Sequence, residues 1–341
     1  MQMPSTLETS DVLSEAEEVC RATVTAIIPS CQRPILVRRA VLSALGQSYG
    51  AVQVIVVIDG RDRITRDALG AIRDDRLRVV ELGEKVGAAE ARNIGVALAA
   101  SEWIAFLDDD DEWLPEKIAK QMTAARSMPM PHPVISSQTI VRSPAFAWIS
   151  PRLAYNPREA MSEYLFCRRR FVDGARYMQT STLMMRRELM IDLPFRKDLK
   201  RHQDWDWLLR AAPRSDVGFH MVMEPLTVFH VDDRRMSLSR ALDWKFSQEW
   251  AREMRGSFTP RAYSFFVANE CMSRAVKKKA GGAVYAALMW EFFARGQPTA
   301  RSLLSMAVFL CIPERWRAWI RGRIRRMRSH SPGSRIAESG L

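Results

Sequence analysis

The sequence has few cysteines and no pattern among them. Its five cysteines lie far apart, at positions 20, 31, 167, 271 and 311, and no Cys-x-x-Cys pair occurs. An odd number of cysteines without metal-type spacing argues against a disulfide framework and against a zinc site. We therefore expect reduced thiols, as in a cytoplasmic protein.

The sequence also lacks a long apolar run and a glycine-rich loop. Its longest apolar run, Leu303–Ile312, is much shorter than the roughly 20 residues that a membrane-spanning helix needs. The N-terminus is polar and acidic, without the basic-then-apolar pattern of a secretory signal. Pro29–Arg33, which follows the first apolar run, contains no glycine. A nucleotidyltransferase would grip phosphate there with a glycine-rich loop, so that function is disfavoured.

Positive charge, in contrast, is in excess. The chain of 341 residues has a formal net charge of +12, which requires a nucleic acid, an anionic lipid or an anionic ligand as a partner. The arginines concentrate near the C-terminus, whereas a nucleic-acid groove would interleave basic and aromatic residues. We therefore expect no nucleic-acid partner.

Apolar runs alternate with amphipathic stretches along the first part of the chain. Strands are predicted at Thr23–Ile28, Val54–Ile58, Leu77–Leu82 and Trp103–Leu107, and helices at the stretches that begin at Pro34, Arg63, Ala88 and Pro115. This alternation predicts an α/β fold with a mostly parallel sheet flanked by helices. Later strands are predicted at Val134–Val141 and Gln179–Arg186, and a helix at Asp204–Arg210.

The patterns divide the chain into three parts. We expect a mobile tail at residues 1–21, an α/β domain at residues 22–240 and a helical C-terminal region at residues 241–341. In the α/β domain, polar residues follow three predicted strands: Pro29–Arg33, Asp59-Gly60 and Asp108–Asp111. Ligands of parallel sheets bind outside the carboxyl ends of the strands, so these loops should converge on one crevice.

The acidic run Asp108–Asp111 brings like charges together, which is costly unless solvent or a cation neutralises them. Asp108 and Asp110 point the same way if strand geometry continues, so that they could share one divalent ion. A solvated turn before the helix near Pro115 explains the run about equally well. The run alone leaves both interpretations open.

Three further polar residues have a structural and a functional interpretation. Arg92 could pair with the acidic run or hold a phosphate, although its alanine-rich surroundings are typical of a helix packed under a sheet. Asp204 lies beside tryptophans, where burial raises a carboxyl pKa and suits a general base. From its own segment alone, a helix cap is favoured for Asp204. A structural role is favoured for His230, which is the only histidine in its own segment.

Together these segments resemble glycosyltransferase family 2, whose members have the GT-A fold. The resemblance runs from about Thr23 to Ser237 and depends on the joint order and spacing of its pieces. They are Ile27-Ile28-Pro29-Ser30 with Arg33-Pro34, Val56–Gly60, Gly87 with Ala91-Arg92-Asn93 and Gly95, Phe106–Asp111 with Trp113-Leu114, Gln179–Thr182, and Gln203–Asp206.

The resemblance implies binding roles for the strand-end residues. The loop with Pro29 and Arg33, together with Asp59, would bind the base and ribose of a nucleotide, and Arg92 would lie near its base or phosphates. The run at residues 108–111 matches the family's Asp-x-Asp element, which holds the diphosphate through Mn²⁺ or Mg²⁺. We assign Asp108 and Asp109 to the nucleotide and Asp110 to the metal ion.

The resemblance also implies a catalytic base. Asp204 matches the residue that takes the proton of the acceptor hydroxyl, and His230 matches a late histidine that in some relatives completes the metal or diphosphate site. The family usually has Glu-Asp where this chain has Gln203-Asp204, so the first acid is missing. That substitution favours a second interpretation, a non-catalytic scaffold.

The implied activity is inverting, metal-assisted transfer of a sugar from a nucleoside-diphosphate sugar, with a UDP-sugar as the expected donor. The acceptor would be a saccharide or a lipid-linked hydroxyl in cell-surface polysaccharide or glycolipid synthesis.

A basic helix is predicted at residues 314–328. Its apolar residues form one stripe, and most of its arginines lie off that stripe; the stripe consists of Trp316, Trp319, Ile320, Ile324 and Met327. Such a helix either packs on the protein or lies on an anionic membrane surface. We expect a cytoplasmic enzyme held peripherally at the inner membrane face.

Overall fold

The computed structural model describes residues 24–144, 147–167, 176–231 and 243–317. Its strands are β1 Val24–Ser30, β2 Val52–Ile58, β3 Leu77–Glu81, β4 Trp103–Phe106, β5 Glu112–Trp113, β6 His132–Arg142, β7 Ala147–Ser150, β8 Met184–Arg186 and β9 Val217–His230. Helices α1–α7 are Pro34–Leu45, Arg63–Gly70, Ala88–Leu98, Lys117–Arg126, Met161–Phe166, Arg187–Asp192 and Gln203–Ala211. In the C-terminal region, α8–α12 are Trp244–Glu253, Pro260–Phe266, Ser273–Lys277, Gly282–Ala294 and Ala300–Cys311, and a π-helix spans Val267–Met272.

The described strands form one sheet in the order β3-β2-β1-β4-β8-β6-β9-β5, with β7 paired to β6. Strands β3, β2, β1 and β4 are parallel neighbours, and these are the four strands that the sequence predicts first. Beyond β4 the sheet is mixed, because β8 is antiparallel to both of its neighbours while β6 and β9 are parallel. The predicted α/β architecture is confirmed.

The sequence-based prediction fails at one strand that it bounded wrongly and at strand β9, which it missed. The strand predicted at Gln179–Arg186 is wrong in its first half, where Thr180–Thr182 forms a 3-10 turn and only β8 pairs in the sheet. Strand β9 was not predicted at all. It pairs with β6 along its whole length through an irregularity near Gln138, and Pro225 lies at that irregularity. A proline has no N–H for a regular ladder and is tolerated at such a break.

The central strands are buried on both faces. Val54, Val56 and Ile58 of β2 belong to one cluster, which also contains the apolar side of α1. Ile55 and Val57 face the other way, into a second cluster. Alternate side chains of a strand point to opposite faces, so a strand covered on both sides reads as a continuous apolar run. The run Val54–Ile58 could therefore be recognised as a strand although it has no alternation of apolar and polar residues.

The C-terminal helices pack on the second cluster. Trp250, Phe258 and Phe266 belong to it together with Phe166 and Trp205 of the α/β part. None of the described helices is long and apolar enough to cross a membrane. The predicted tail at residues 1–21 lies outside the described residues, and so does most of the predicted basic helix at residues 314–328, of which residues 314–317 are described and helical.

Candidate active site

The strand-end loops converge because β1 lies between β2 and β4. The acidic run follows β4 directly and forms a tight turn, in which the Asp111 amide donates to the Asp108 carbonyl oxygen at 3.1 Å. Strand geometry therefore does not continue through the run. The turn directs the four carboxylates to different surroundings, and Asp108 and Asp110 have different partners.

Asp109 is directed back toward β1. It is 6% exposed, and its carboxylate accepts hydrogen bonds from Ser30 Oγ and from Arg33 Nη1, each at 2.8 Å. Burial, together with the charge of the neighbouring Asp110, raises its pKa to about 6, although the charge of Arg33 opposes this change. Asp109 thus fastens the acidic turn to the end of β1, beside Pro29, which pairs within the strand opposite Val57.

Asp110 and Asp111 differ in how far their side chains are buried. Arg33 Nη1 also donates to Asp110 Oδ2 at 3.0 Å, so one guanidinium contacts two carboxylates of the turn. Asp111 is 2% exposed and accepts from Ser181 Oγ at 2.5 Å, while its Oδ1 has no hydrogen-bond partner among the described residues. Burial and the charge of Asp108 raise the pKa of Asp111 well above its usual value. The acidic turn therefore buries Asp111 more deeply than Asp110.

Arg92 connects the acidic turn to the predicted base. It lies on α3, is 6% exposed, and donates from Nη2 to Asp108 Oδ1 at 2.5 Å and from Nη1 to Gln203 Oε1 at 2.8 Å. Phe195 lies against its guanidinium, with the ring centroid 5.7 Å from Cζ. A planar guanidinium can hold two acceptors at fixed angles, which an ammonium group cannot do in this geometry. Gln203 is thus a neutral hydrogen-bond acceptor for Arg92.

Asp204 and Asp206 lie in the first turn of α7 but have different surroundings. Asp204 is partly buried, and its Oδ1 accepts from the Trp205 amide at 2.9 Å. Burial raises its pKa to about 6, and the nearby Asp108 carboxylate acts in the same direction. Asp206 is fully buried and accepts from Arg210 Nε at 2.8 Å and from Trp250 Nε1 at 3.1 Å. Asp206 is thus saturated by structural contacts, whereas Asp204 is accessible near the turn.

Asp59 holds a backbone loop in this structure. Its carboxylate accepts from the amides of Val86, at 2.6 Å, and of Gly87, at 3.1 and 3.2 Å. Gly87 has a φ of +89°, which a residue with a side chain rarely adopts, and α3 begins at the next residue. Asp59 therefore fixes the entry of the helix that carries Arg92. Its expected contact with a nucleotide stays a prediction.

His230 lies at the end of β9, next to the acidic turn. Its Nε2 is 2.5 Å from Glu112 Oε1, and Arg39 Nε lies 3.2 Å from the same oxygen. Burial lowers the pKa of His230, and Glu112 opposes that change. Among the described residues no group of three or more His, Cys, Asp and Glu side chains is arranged to hold a metal ion. The protein thus brings Asp110 and His230 to the same edge of the sheet, where each has its own salt-bridge partner.

Two residues of the site had no role in the sequence-based prediction. Ser181 donates to Asp111, and it also accepts from the Asp108 amide at 3.1 Å. Trp113 Nε1 donates to the Ser181 carbonyl oxygen at 2.8 Å. The turn Thr180–Thr182 therefore holds the acidic turn in place through hydrogen bonds. The segment Gln179–Thr182 was part of the family resemblance, which is the only signal that could have identified it.

The comparisons with known proteins agree on one family. The family model described as glycosyl transferase family 2 matches residues 25–193. The amylovoran biosynthesis glycosyltransferase AmsB of Erwinia amylovora is 28% identical over 226 residues, which cover 63% of this chain and 72% of that protein. The UDP-Glc:alpha-D-GlcNAc-diphosphoundecaprenol beta-1,3-glucosyltransferase WfaP of Escherichia coli is 38% identical over 80 residues, 24% of this chain and 32% of that protein.

Solved structures share the fold. The mannosyltransferase PcManGT of Pyrobaculum calidifontis, in complex with GDP-Man and Mn²⁺, has a TM-score of 0.54 and 18% identity, and the match covers 94% of this chain and 92% of that one. S. aureus TarS 1–349 in complex with UDP-GlcNAc has a TM-score of 0.53 and 16% identity, with 87% and 83% covered. The matched family, its relatives and the shared architecture identify the chain as a member of glycosyltransferase family 2, a glycosyltransferase with a GT-A fold.

Proposed function

We propose that the protein transfers a sugar from a nucleoside-diphosphate sugar to an acceptor hydroxyl, with inversion at the anomeric carbon and with a divalent metal ion. The observation that carries this proposal is the connection made by Arg92, which contacts both Asp108 of the acidic turn and Gln203, the neighbour of Asp204. The leaving diphosphate and the attacking hydroxyl react at the same carbon. The acidic turn, which would hold the diphosphate, and Asp204, which would take the proton of the hydroxyl, must therefore lie at one site.

Asp204 is the proposed general base. An acceptor hydroxyl loses its proton as the new bond forms, and a carboxylate within reach must accept it. Burial raises the pKa of Asp204 to about 6, which makes it a stronger base than an ordinary aspartate while leaving it mostly ionised at neutral pH. A single in-line displacement with one base inverts the anomeric centre and requires no protein nucleophile.

The donor set at the acidic turn fits Mg²⁺ or Mn²⁺. Carboxylate oxygens are the ligands that such hard cations prefer, and the buried Asp111 Oδ1 has no hydrogen-bond partner among the described residues. Asp108 and Asp110 would hold the ion together with diphosphate oxygens of the donor, with His230 as the additional predicted ligand. A bound divalent cation supplies charge stabilisation for the departing diphosphate. Asp109 and Arg33 keep the turn in place on β1.

The relatives support a donor and a setting for the proposed reaction. WfaP is named for UDP-Glc, TarS is solved with UDP-GlcNAc and PcManGT with GDP-Man, which support a nucleotide-sugar donor, with a UDP-sugar as the expected one. AmsB is named for amylovoran biosynthesis, which supports a role in cell-surface polysaccharide or glycolipid synthesis on a saccharide or lipid-linked acceptor. We place the enzyme in the cytoplasm, peripherally on the inner membrane face.

The scaffold alternative depends on Gln203, since a non-catalytic relative can lose a site acid without penalty. In the structure Gln203 keeps a hydrogen bond to Arg92 at 2.8 Å. A neutral group thus contacts Arg92 at the position where the family usually has an acid. The substitution therefore does not by itself remove a part of the catalytic geometry.

Calorimetry with UDP- and GDP-sugars, each with and without Mn²⁺ or Mg²⁺, tests the proposal. We expect one nucleotide class to bind only with the metal ion. Asp110→Ala should abolish the metal-dependent part of that binding and leave the fold intact, because Asp110 lies in a loop at a strand end. Asp198→Ala, a change at an exposed aspartate whose side chain is paired with Arg196, is the matched control. Metal-dependent binding by Asp110→Ala that equals the parent's would contradict the metal assignment.

A further inference from the structure

The outward face of α11 is apolar throughout. Trp290 and Phe293 are 60% and 53% exposed, and Met289 is 39% exposed. The other exposed positions of the helix after its first glycine are Ala283, Ala286, Ala287 and Ala294. A surface helix of a globular protein normally presents charged and polar residues to water. An apolar outward face of this kind indicates a surface that is covered by something else.

The one charged residue of α11 points inward. Glu291 is fully buried, and it accepts from Arg252 Nε at 2.9 Å and from Gln248 Nε2 at 2.5 Å, as well as from the Tyr263 hydroxyl. The hydrogen bonds fasten the inward face of the helix to α8 and α9. The usual order is thus reversed in α11, with the ion pair inside and the aromatic side chains outside.

Helix α12 also has an apolar exposed face. Its buried positions are Ser302 and Met306, and its exposed positions after Arg301 are Leu303, Leu304, Ala307, Leu310 and Cys311. Both α11 and α12 pack on the π-helix Val267–Met272. Because both helices pack inward on the same segment, their exposed faces point away from it. We call these two exposed faces the apolar face.

Basic residues surround the apolar face. The basic residues of the segment from residue 274 to residue 317 are Arg274, Lys277, Lys278, Lys279, Arg295, Arg301, Arg315 and Arg317. The acidic residues of the same segment are Glu291, which is buried, and Glu314. Lys277–Lys279 are exposed just before α11, Arg295 is exposed directly after α11, and Arg301 is exposed in the first turn of α12. Arg274 and Arg317 are paired with Glu270 and Glu314. The exposed basic residues that flank the two helices are therefore Lys277–Lys279, Arg295, Arg301 and Arg315.

We propose that the apolar face docks on an anionic lipid bilayer. Apolar side chains enter the boundary between headgroups and acyl chains, while basic residues at the edge contact anionic headgroups. The 13 residues of α11 extend about 20 Å, less than the roughly 30 Å of a hydrocarbon core, so the helix lies in the interface. The proposal deepens the membrane location within the proposed function and assigns it to described helices. It does not depend on sugar transfer.

Charge favours a bilayer over a second copy of the chain as the occupant. In a two-fold pair the same face meets itself, which would bring Lys277–Lys279 and the arginines of one copy close to those of the other. An anionic surface has the opposite charge at every point of contact. The positive charge beside the apolar face is thus complementary to anionic lipid headgroups.

Co-sedimentation of the full chain with vesicles tests the proposal. The vesicles are phosphatidylcholine alone or phosphatidylcholine with phosphatidylglycerol, at low and at high salt. We expect binding to the anionic vesicles that weakens with salt. Trp290→Ser/Phe293→Ser should lower the partition coefficient about tenfold or more. Lys277→Gln/Lys278→Gln/Lys279→Gln should lower it about 100-fold at low salt and much less at high salt.

The matched control is Ile64→Ser/Ile191→Ser, which removes two isoleucines that are 72% and 51% exposed elsewhere on the surface. This control should bind vesicles like the parent. The proposal is overturned if the parent ignores anionic vesicles, or if Trp290→Ser/Phe293→Ser binds them as the parent does. It is also overturned if sedimentation velocity shows a parent dimer that this variant dissociates.

Donor hydrolysis without vesicles separates the two proposals. Trp290→Ser/Phe293→Ser should hydrolyse the donor at the parent's rate, because both residues lie on the outer surface of α11. If neither protein hydrolyses any nucleotide sugar, the proposed function fails while the vesicle result stands. If hydrolysis is normal and vesicle binding is absent, only the docking proposal fails.

Discussion

The acidic turn Asp108–Asp111 and the apolar face of α11 and α12 depart from ordinary surface chemistry in opposite directions. In the turn, carboxylates are buried, and burial raises the pKa of Asp109 and Asp111. On the apolar face, aromatic rings are exposed. Buried charge and exposed apolar surface are both unfavourable in an isolated fold, so each indicates binding. This difference agrees with the two proposals made above, that the sheet edge carries the chemistry and that the C-terminal helices attach the protein to a membrane.

If the two regions are independent, changes in one should leave the other unaffected. The largest effect is expected for Asp204→Asn, which is nearly isosteric but removes the basic carboxylate. Transfer should fall about 10²–10⁴-fold, the scale of a lost general base, while donor binding and vesicle binding stay at the parent's level. Steady-state kinetics with the identified donor measures this. Normal turnover by Asp204→Asn would refute the assignment.

A smaller effect is expected for Arg92→Lys. The guanidinium contacts Asp108 and Gln203 at once, and lysine can keep at most one of these contacts. We expect kcat/KM to fall about 10- to 100-fold, the range of a lost charge-assisted hydrogen bond. Arg78→Lys, at a largely exposed arginine on β3, is the control and should be near neutral. An unchanged kcat/KM for Arg92→Lys would show that the connection is not used in catalysis.

The smallest effect on chemistry is expected for Asp206→Asn, although it lies two residues from Asp204. Its carboxylate is fully buried between Arg210 and Trp250, so the loss of charge should lower the free energy of unfolding by about 1–3 kcal/mol. Turnover by the folded fraction should stay near that of the parent. Thermal or denaturant unfolding beside kinetics measures both. A catalytic loss without destabilisation would mean that Asp206, not Asp204, is the base.

The parallel part of the fold could be predicted because its signals are local. The apolar runs of β1 to β4 stand between helices with clear periodicity, and the observed bounds lie within about two residues of the predicted ones. Strand β9 lacks such a signal, since His220, Glu224 and Pro225 interrupt it. Its partner β6, a long way off in sequence, decides its conformation. Tertiary pairing of this kind is invisible to a local pattern.

The site could be predicted in its parts but not in its connections. The order of motifs identified Asp108, Arg92 and Asp204, whereas the contact from Arg92 to Gln203 spans 111 positions of the chain. The same holds for Ser181, whose bond to Asp111 joins two loops. The sequence also left open whether strand geometry continues through the acidic run, where the structure has a hydrogen-bonded turn. Which carboxylates are buried depends on that turn.

The pH dependence of transfer tests the central claim, that Asp204 is the base, most directly. Burial raises the pKa of Asp204 from 3.8 to about 6. The base works only when ionised, so kcat/KM should be level above this pKa and fall about tenfold for each pH unit below it. Asp204→Asn should lose this limb from its residual activity. A parent profile that stays flat between about pH 4.5 and 8, or a limb that survives in Asp204→Asn, would contradict the account.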